Sequence, residues 1–161
     1  MITYHQVFDI YHTIFRILHI LHSKDYAPIE KDRLRIFDFL LLFPHEFKNV
    51  KLPVDARKVK GTFKETKYNS LPDRKRIFSQ SGKFFESSLQ CLLSYGALDV
   101  ESYKENIIVV VNRNLANKIA GIKHESFDSQ IIEILNSIFR TMNLTEFKQR
   151  SGLIEYRYDV S

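Results

Sequence analysis

Hydrophobic positions recur with helical spacing in two segments near the start of the chain. In residues 4–23 the apolar side chains are separated mostly by three or four positions, which predicts a helix with one wide apolar face: Val7, Ile10, Tyr11, Ile14, Leu18 and Leu21. Residues 29–43 are almost continuously apolar after Arg35, which predicts a helix that is buried on most sides and ends at Pro44. These two helices are expected to supply much of the core.

A longer helix is predicted after residue 72. Asp73 is a suitable N-cap, and the apolar periodicity continues to about Tyr95, where Gly96 is expected to end the helix. Residues 98–103 and 107–111 are rich in strand-forming side chains and flank a short polar stretch, so they are predicted to form a β-hairpin.

The remainder of the chain is predicted to be helical, followed by one terminal strand. Residues 112–122 predict a short helix, and Ser126 is expected to cap another helix, whose apolar face holds Phe127, Ile131, Ile134, Leu135, Ile138 and Met142. A helical turn around Glu146 leads to Gly152, and residues 154–160 alternate between apolar and polar side chains as a strand does.

This order of elements predicts a mainly α fold with a small β-hairpin, of the α+β class. Helix, long connection, helix and hairpin is the order of a winged-helix unit, here spanning residues 29–111, with an additional N-terminal helix and with C-terminal helices and a strand in residues 112–161. The chain of 161 residues is 44% hydrophobic and 13% aromatic, which suits one domain over residues 1–161 with its own core.

Positive charge is concentrated around the predicted basic loop of residues 44–72. Residues 48–76 contain ten lysines and arginines against three acidic residues, a net charge of +7, whereas the whole chain carries +5 and the remainder therefore −2. Such a surface attracts either phosphate or carboxylate groups. The candidate contacts with a partner or with nucleic acid are Arg57, Lys58, Lys60, Lys64, Lys67, Arg74, Lys75 and Arg76.

The helix predicted after Asp73 is a poor reader of DNA. Apolar residues cover more than half of its circumference, and the other face holds only Lys83 and Glu86 as charged residues, so it is almost neutral. The triplet Arg74-Lys75-Arg76 lies instead in the first turn, where each cation costs about 0.3–1 kcal/mol against the helix dipole. Either an acidic partner compensates for this cost, or the triplet is a solvated end.

Two other segments leave alternatives open. The basic loop also contains Phe63 and Tyr68, so it suits a nucleic-acid backbone with aromatic stacking as well as plain solvation. The terminal strand, with contact candidates Ile154, Tyr156 and Tyr158, is expected to pair within the fold rather than add to the sheet of a partner, since a free apolar edge promotes aggregation.

No motif in the chain predicts catalysis. His5, His12 and His19 lie about 10 Å apart along a helix, which is too far to share a metal ion. The two Glu-Phe-Lys tripeptides at residues 46–48 and 146–148 lack the strand that metal-dependent nucleases need, and Gly82-Lys83 lacks the rest of a phosphate loop. The sequence therefore predicts no enzyme, cofactor, metal or small-molecule substrate.

The expected location is the cytoplasm. The single Cys91 has no disulfide partner within the chain, which suits a reducing compartment. The apolar run near the N-terminus is interrupted by Asp9, His12, Arg16 and His19, and this pattern predicts neither a signal peptide nor a membrane span.

Four stretches resemble a known family: FDIYHTIFR from residue 8, RLRIFDFLL from residue 33 with FPH after it, LPDRKRIF from residue 71 and LQCLLSYGAL from residue 89. They are similar to the small middle component of bacterial ABC three-component systems, the group that includes the Lamassu-type anti-phage systems. The resemblance covers about residues 4–111. It implies a non-enzymatic subunit that docks on the heads of an SMC-like ABC ATPase and links it to an effector, often a nuclease, within a complex that senses foreign DNA.

Two other functions remain open from the residues alone. A stand-alone winged-helix regulator would bind DNA in a strongly salt-dependent way and usually as a dimer. An antitoxin-like inhibitor would mask a toxin without any ATPase. The bridging subunit is the preferred hypothesis, because the predicted fold lacks a catalytic constellation and concentrates its positive charge in one loop and one helix end.

Overall fold

The computed structural model describes residues 9–54, 56, 73–121 and 129–153. Their elements, in chain order, are α1 (Ile10–His22), β1 (Ile29–Glu30), α2 (Lys31–Leu42), a 3-10 helix (Pro44–Asn49), α3 (Arg74–Ser94), α4 (Val100–Lys104), β2 (Ile107–Ile108), α5 (Arg113–Ala120), α6 (Ser129–Ile134), a π-helix (Leu135–Phe139) and α7 (Leu144–Ser151). The fold is mostly helical with a small antiparallel sheet, so the predicted α+β class is confirmed.

Helix α1 lies at the centre of the fold and packs against α2, α3 and α5. Its residues Ile17, Leu18, Ile20 and Leu21 are fully buried. The helix begins at Ile10 and not at residue 4 as predicted, because Asp9 has an extended backbone and its carboxylate accepts hydrogen bonds from the first free N–H groups of the helix. Residues 4–8 lie outside the described part of the chain.

Helix α2 is the second core helix, as its apolar run predicts. Leu34, Phe37 and Leu40 are fully buried, and the helix ends at Leu42, just before Pro44. Pro44 then opens the 3-10 helix, whose Phe47 is also fully buried. The first part of the predicted basic loop is therefore a compact turn packed on the core.

The predicted hairpin is wrong in its first strand. Asp99 accepts hydrogen bonds from the backbone N–H and the hydroxyl of Ser102, at 2.9 and 2.6 Å, and this cap starts α4 where a strand was expected. Strand β2 pairs with β1, ahead of α2, and Leu98 forms only a single antiparallel bridge with Val110. The winged-helix interpretation stays a prediction, since the order of elements fits but residues 100–104 of the wing are helical.

The C-terminal helices follow the prediction with one change of phase. The helix predicted over residues 112–122 is α5, which Asn112 caps. In the next helix the π-turn over Leu135–Phe139 inserts extra chain, so the buried side chains are Ile131, Ile132, Leu135 and Phe139. The predicted members Ile134, Ile138 and Met142 are only partly buried. The predicted Ser126 cap, Phe127 and the terminal strand lie outside the described residues.

Aromatic rings join the two halves of the chain. Phe139 stacks on Phe147 with ring centroids 4.9 Å apart, and Phe147 meets Phe37 edge to face at 5.7 Å. The ring centroid of Phe47, in the 3-10 helix, lies 6.3 Å from the ring centroid of Phe139. This cluster fixes α7 and the π-helix against α2 and the 3-10 helix.

The core also holds charged groups. Arg16 is 1% exposed, and its guanidinium donates to Asp38 at 2.6 Å and to the hydroxyl of Thr13 at 3.0 Å. Burial raises the pKa of Asp38, and the charges of Arg16 and Arg35 oppose that rise. The Arg35 guanidinium donates to the Phe78 carbonyl at 2.5 Å and lies 4.1 Å above the Phe78 ring, which ties α2 to α3. Polar links thus fix the mutual positions of α1, α2 and α3.

We expect Arg16→Met to lower the free energy of unfolding by about 3–5 kcal/mol, because the substitution leaves the Asp38 carboxylate buried without its main cation. The double variant Arg16→Met/Asp38→Leu should recover most of that loss, since both charges are then removed together. Urea denaturation of the two variants and the wild type measures this. A double variant less stable than Arg16→Met would contradict the assignment.

Candidate functional site

The three cations at the start of α3 have different environments. Asp73 caps the helix by accepting from the backbone N–H of Arg76 at 3.2 Å. The side chains of Lys75 and Arg76 are exposed, whereas the side chain of Arg74 is only 18% exposed. The predicted basic triplet therefore separates into one inward member and two outward members.

Arg74 is held by two elements that are remote in sequence. Its Nε donates to the Glu46 carboxylate at 2.6 Å, and its Nη2 donates to the Ser151 carbonyl at 2.9 Å. The Glu46 side chain is 2% exposed and also accepts from the Asn49 amide at 2.8 Å. We call Glu46, Arg74 and Ser151 the Arg74 clasp. It joins the 3-10 helix, the start of α3 and the end of α7.

Backbone hydrogen bonds strengthen the same junction. The Lys51 N–H donates to the Arg150 carbonyl at 2.8 Å, and the Arg150 guanidinium donates to the Lys51 carbonyl at 2.9 Å. The chain is thus attached to α7 shortly before residue 57 and again just after residue 72. Lys51 and Arg74, which lie on either side of residues 57–72 in the sequence, are thus both bonded to the end of α7.

Gly152 fits closely against the clasp. Its φ of +67° is in the left-handed region, which ends α7, and an added Cβ would lie 3.2 Å from the Nη1 of Arg74. Leu153, the next residue, is 2% exposed. The last described residues of the chain therefore lie beside the clasp.

The predicted contact residues Arg57, Lys58, Lys60, Lys64, Lys67, Ile154, Tyr156 and Tyr158 lie outside the described residues. Among the described residues, Lys48, Lys75 and Arg76 are exposed and lie within two positions of a clasp residue. Lys51 is also exposed, and its backbone is hydrogen-bonded to Arg150, next to Ser151 of the clasp. We call these four residues the basic surface.

A cleft of about 500 Å³ lies between α2 and α3, and three of its charged lining residues are held in ion pairs. Lys31 pairs with Glu86 at 2.7 Å, and Asp32 pairs with Lys148 at 2.6 Å. Burial and a hydrogen bond to Glu86 raise the pKa of Tyr103 to about 12. The cleft is therefore bordered by a polar contact between the two helices.

The tripeptides and histidines considered for metal chemistry have structural surroundings. Glu46 lies in the 3-10 helix and Glu146 in α7, where it pairs with Arg150, so neither occupies the strand of a nuclease site. Within the ranges that the structure describes, no cluster of three or more His, Cys, Asp or Glu side chains is placed to hold a metal ion. Gly82 and Lys83 lie in the middle of α3.

The clasp is the feature that sequence reasoning missed. Glu46 appeared only as part of a nuclease-like tripeptide, and Arg74 only as one of three exposed cations. A Glu that follows a buried apolar run and Pro44 does signal a position close to the core. No sequence spacing, however, pairs residue 46 with residue 74 or residue 151.

Comparison with known proteins gives one family. A family model described as "ABC-three component (ABC-3C) system Middle Component 5" matches residues 2–159. The match extends past residue 111, where the resemblance seen in the sequence ended, and so includes the C-terminal helices. No curated protein and no solved structure matches the chain. No helix in the described ranges combines the length and the hydrophobicity that a membrane span requires.

We expect Arg74→Ala to lower the free energy of unfolding by about 2–3 kcal/mol, because the buried Glu46 carboxylate then loses its charged donor. Lys75→Ala and Arg76→Ala are the matched controls, and each should change stability by less than about 0.5 kcal/mol, since these side chains are exposed. Urea denaturation of all three variants makes the comparison. The clasp would be refuted as a structural element if Arg74→Ala were as mild as its two neighbours.

Proposed function

Since the chain belongs to the middle-component family of ABC three-component systems, we propose that it is a non-catalytic bridging subunit of a Lamassu-type anti-phage complex in the cytoplasm. Membership in this family implies a bridging role in a multi-subunit system. In the proposal, the chain docks an SMC-like ABC ATPase and links it to an effector, such as a nuclease. The basic surface is the proposed docking point for the ATPase.

One observation supports this docking point above the others. Arg74 is used within the fold, whereas Lys75 and Arg76 project from the first turn of α3, near the positive end of the helix dipole. Cations at that position cost about 0.3–1 kcal/mol each, and an acidic partner would turn this cost into attraction. Lys48 follows Glu46, the partner of Arg74, by two residues, and Lys51 is hydrogen-bonded to Arg150. Both lysines are exposed and add to the same positive field.

The proposed partner at this surface is an acidic protein face rather than a DNA groove. The exposed residues along α3 beyond its first turn include Ser79, Gln80, Lys83, Ser87 and Gln90, which together carry one positive charge. Such a face gives little attraction for phosphates. We also propose that the basic loop contacts DNA inside the complex, through Arg57, Lys58, Lys60, Lys64 and Lys67.

The test is co-purification of the tagged chain with the products of its neighbouring genes. We expect Lys75→Glu/Arg76→Glu to weaken binding of the ATPase at least about tenfold, because both charges become repulsive toward an acidic face. Rising salt should weaken the wild-type complex in the same direction. Arg74 is left unchanged in this variant, so that the clasp and the stability of the fold are preserved.

Lys24→Glu/Lys118→Glu is the matched control, since it makes the same change of charge at two exposed lysines away from the basic surface. The control should retain the ATPase. Equal loss of the ATPase in both variants would show that only net charge matters and would refute the docking point. A wild-type chain that elutes alone and retains duplex DNA in a salt-sensitive way would instead support the stand-alone regulator.

A further inference from the structure

The end of α3 opposite the basic surface carries exposed apolar side chains. Tyr95 follows the last residue of α3 and is 59% exposed, and Val100 and Val111 are 51% and 57% exposed. Helix α3 has 21 residues, so this end lies about 30 Å from Lys75 and Arg76 along the helix axis. We call Tyr95, Val100 and Val111 the apolar surface.

Backbone pairing brings these residues together. The Val111 N–H donates to the Ala97 carbonyl at 2.9 Å, and the Asp99 N–H donates to the Val109 carbonyl at 2.9 Å. Leu98 and Val110 form the bridge between these two bonds. Residues 97–99 pair with residues 109–111. Tyr95 lies shortly before the first of these segments, Val100 directly after it, and Val111 is the last residue of the second. They therefore belong to one region of the surface, although residue 111 is remote from residue 95 in sequence.

The charge around the apolar surface is opposite in sign to that of the basic surface. Residues 95–113, which include all of the apolar surface, hold Asp99, Glu101 and Glu105 against Lys104 and Arg113, a net charge of −1. Arg113 is itself paired with Asp25 at 3.0 Å. Lys104 pairs with Glu101 at 3.4 Å, and the side chain of Glu101 is 82% exposed. A partner that suits this end therefore needs apolar side chains at its centre and cations at its rim.

Resting on the proposed bridging function, we propose that the apolar surface docks a second component of the same system. Its contact segment presents apolar side chains flanked by lysine or arginine, and it is a different protein from the acidic partner at the basic surface. A bridging subunit needs two surfaces that select unlike partners, and the two ends of α3 differ in both charge and hydrophobicity. Because α3 packs along α1, it holds the two surfaces at a fixed separation.

The test uses the complex reconstituted from the full chain and the other two gene products. A photo-cross-linking amino acid, p-benzoylphenylalanine, replaces Tyr95, and the cross-linked peptide is identified by mass spectrometry. We expect a peptide from another component that is apolar and contains lysine or arginine. A cross-link to a second copy of this chain, a cross-link to an acidic peptide, or no cross-link to another component would overturn the proposal.

Substitutions separate this proposal from the bridging function itself. Val100→Asp/Val111→Asp should weaken binding of one component at least about tenfold, while the acidic partner stays bound at the basic surface. The control variant Tyr11→Asp changes another exposed apolar residue, which is 76% exposed, and it should retain both components. Equal thermal unfolding temperatures would show that all variants are folded.

The binding results distinguish failure of the apolar surface from failure of the bridging function. If Val100→Asp/Val111→Asp retains both components, the apolar surface is not a docking site, and the bridging function stands. If the wild type binds neither component, the bridging function fails, and this inference fails with it.

Discussion

The ion pair between Glu46 and Arg74 holds the 3-10 helix against the start of α3. A carboxylate that is almost fully buried needs a charged donor, and the donor here comes from the first residue of α3. The same guanidinium reaches the carbonyl at the end of α7, so three remote parts of the sequence meet at one side chain. The junction of the 3-10 helix, the start of α3 and the end of α7 follows from this single requirement.

The clasp also explains why neighbouring arginines and lysines have separate roles. Successive helical residues point in directions about 100° apart, so a side chain turned toward the 3-10 helix leaves the next two turned toward solvent. The fold thus uses one cation for its own closure and presents the others. The positive charge that remains outside is held at a defined place, because the helix that carries it is packed against α1.

Much of the fold could be predicted from the sequence where one local signal dominated. Asp73 capped the helix expected of it, the short helix expected in residues 112–122 formed, and Pro44 and Gly96 ended theirs. The first strand of the hairpin failed because a cap at Asp99 outweighed the strand-forming side chains after it. The buried face of the helix after Ser129 failed at Phe139, because a π-turn changes the period that the prediction assumed. The clasp was not predictable, since it depends on tertiary pairing.

The buried charge pairs constrain how relatives of this chain can diverge. The fold loses stability if only one partner changes in the pair of Arg16 and Asp38 or in the pair of Arg74 and Glu46. A relative that lacks such a pair must therefore differ at both positions, because a protein with only one of the two substitutions is less stable. These positions should accordingly vary together across the family or scarcely at all, whereas the exposed residues Lys75 and Arg76 can change one at a time.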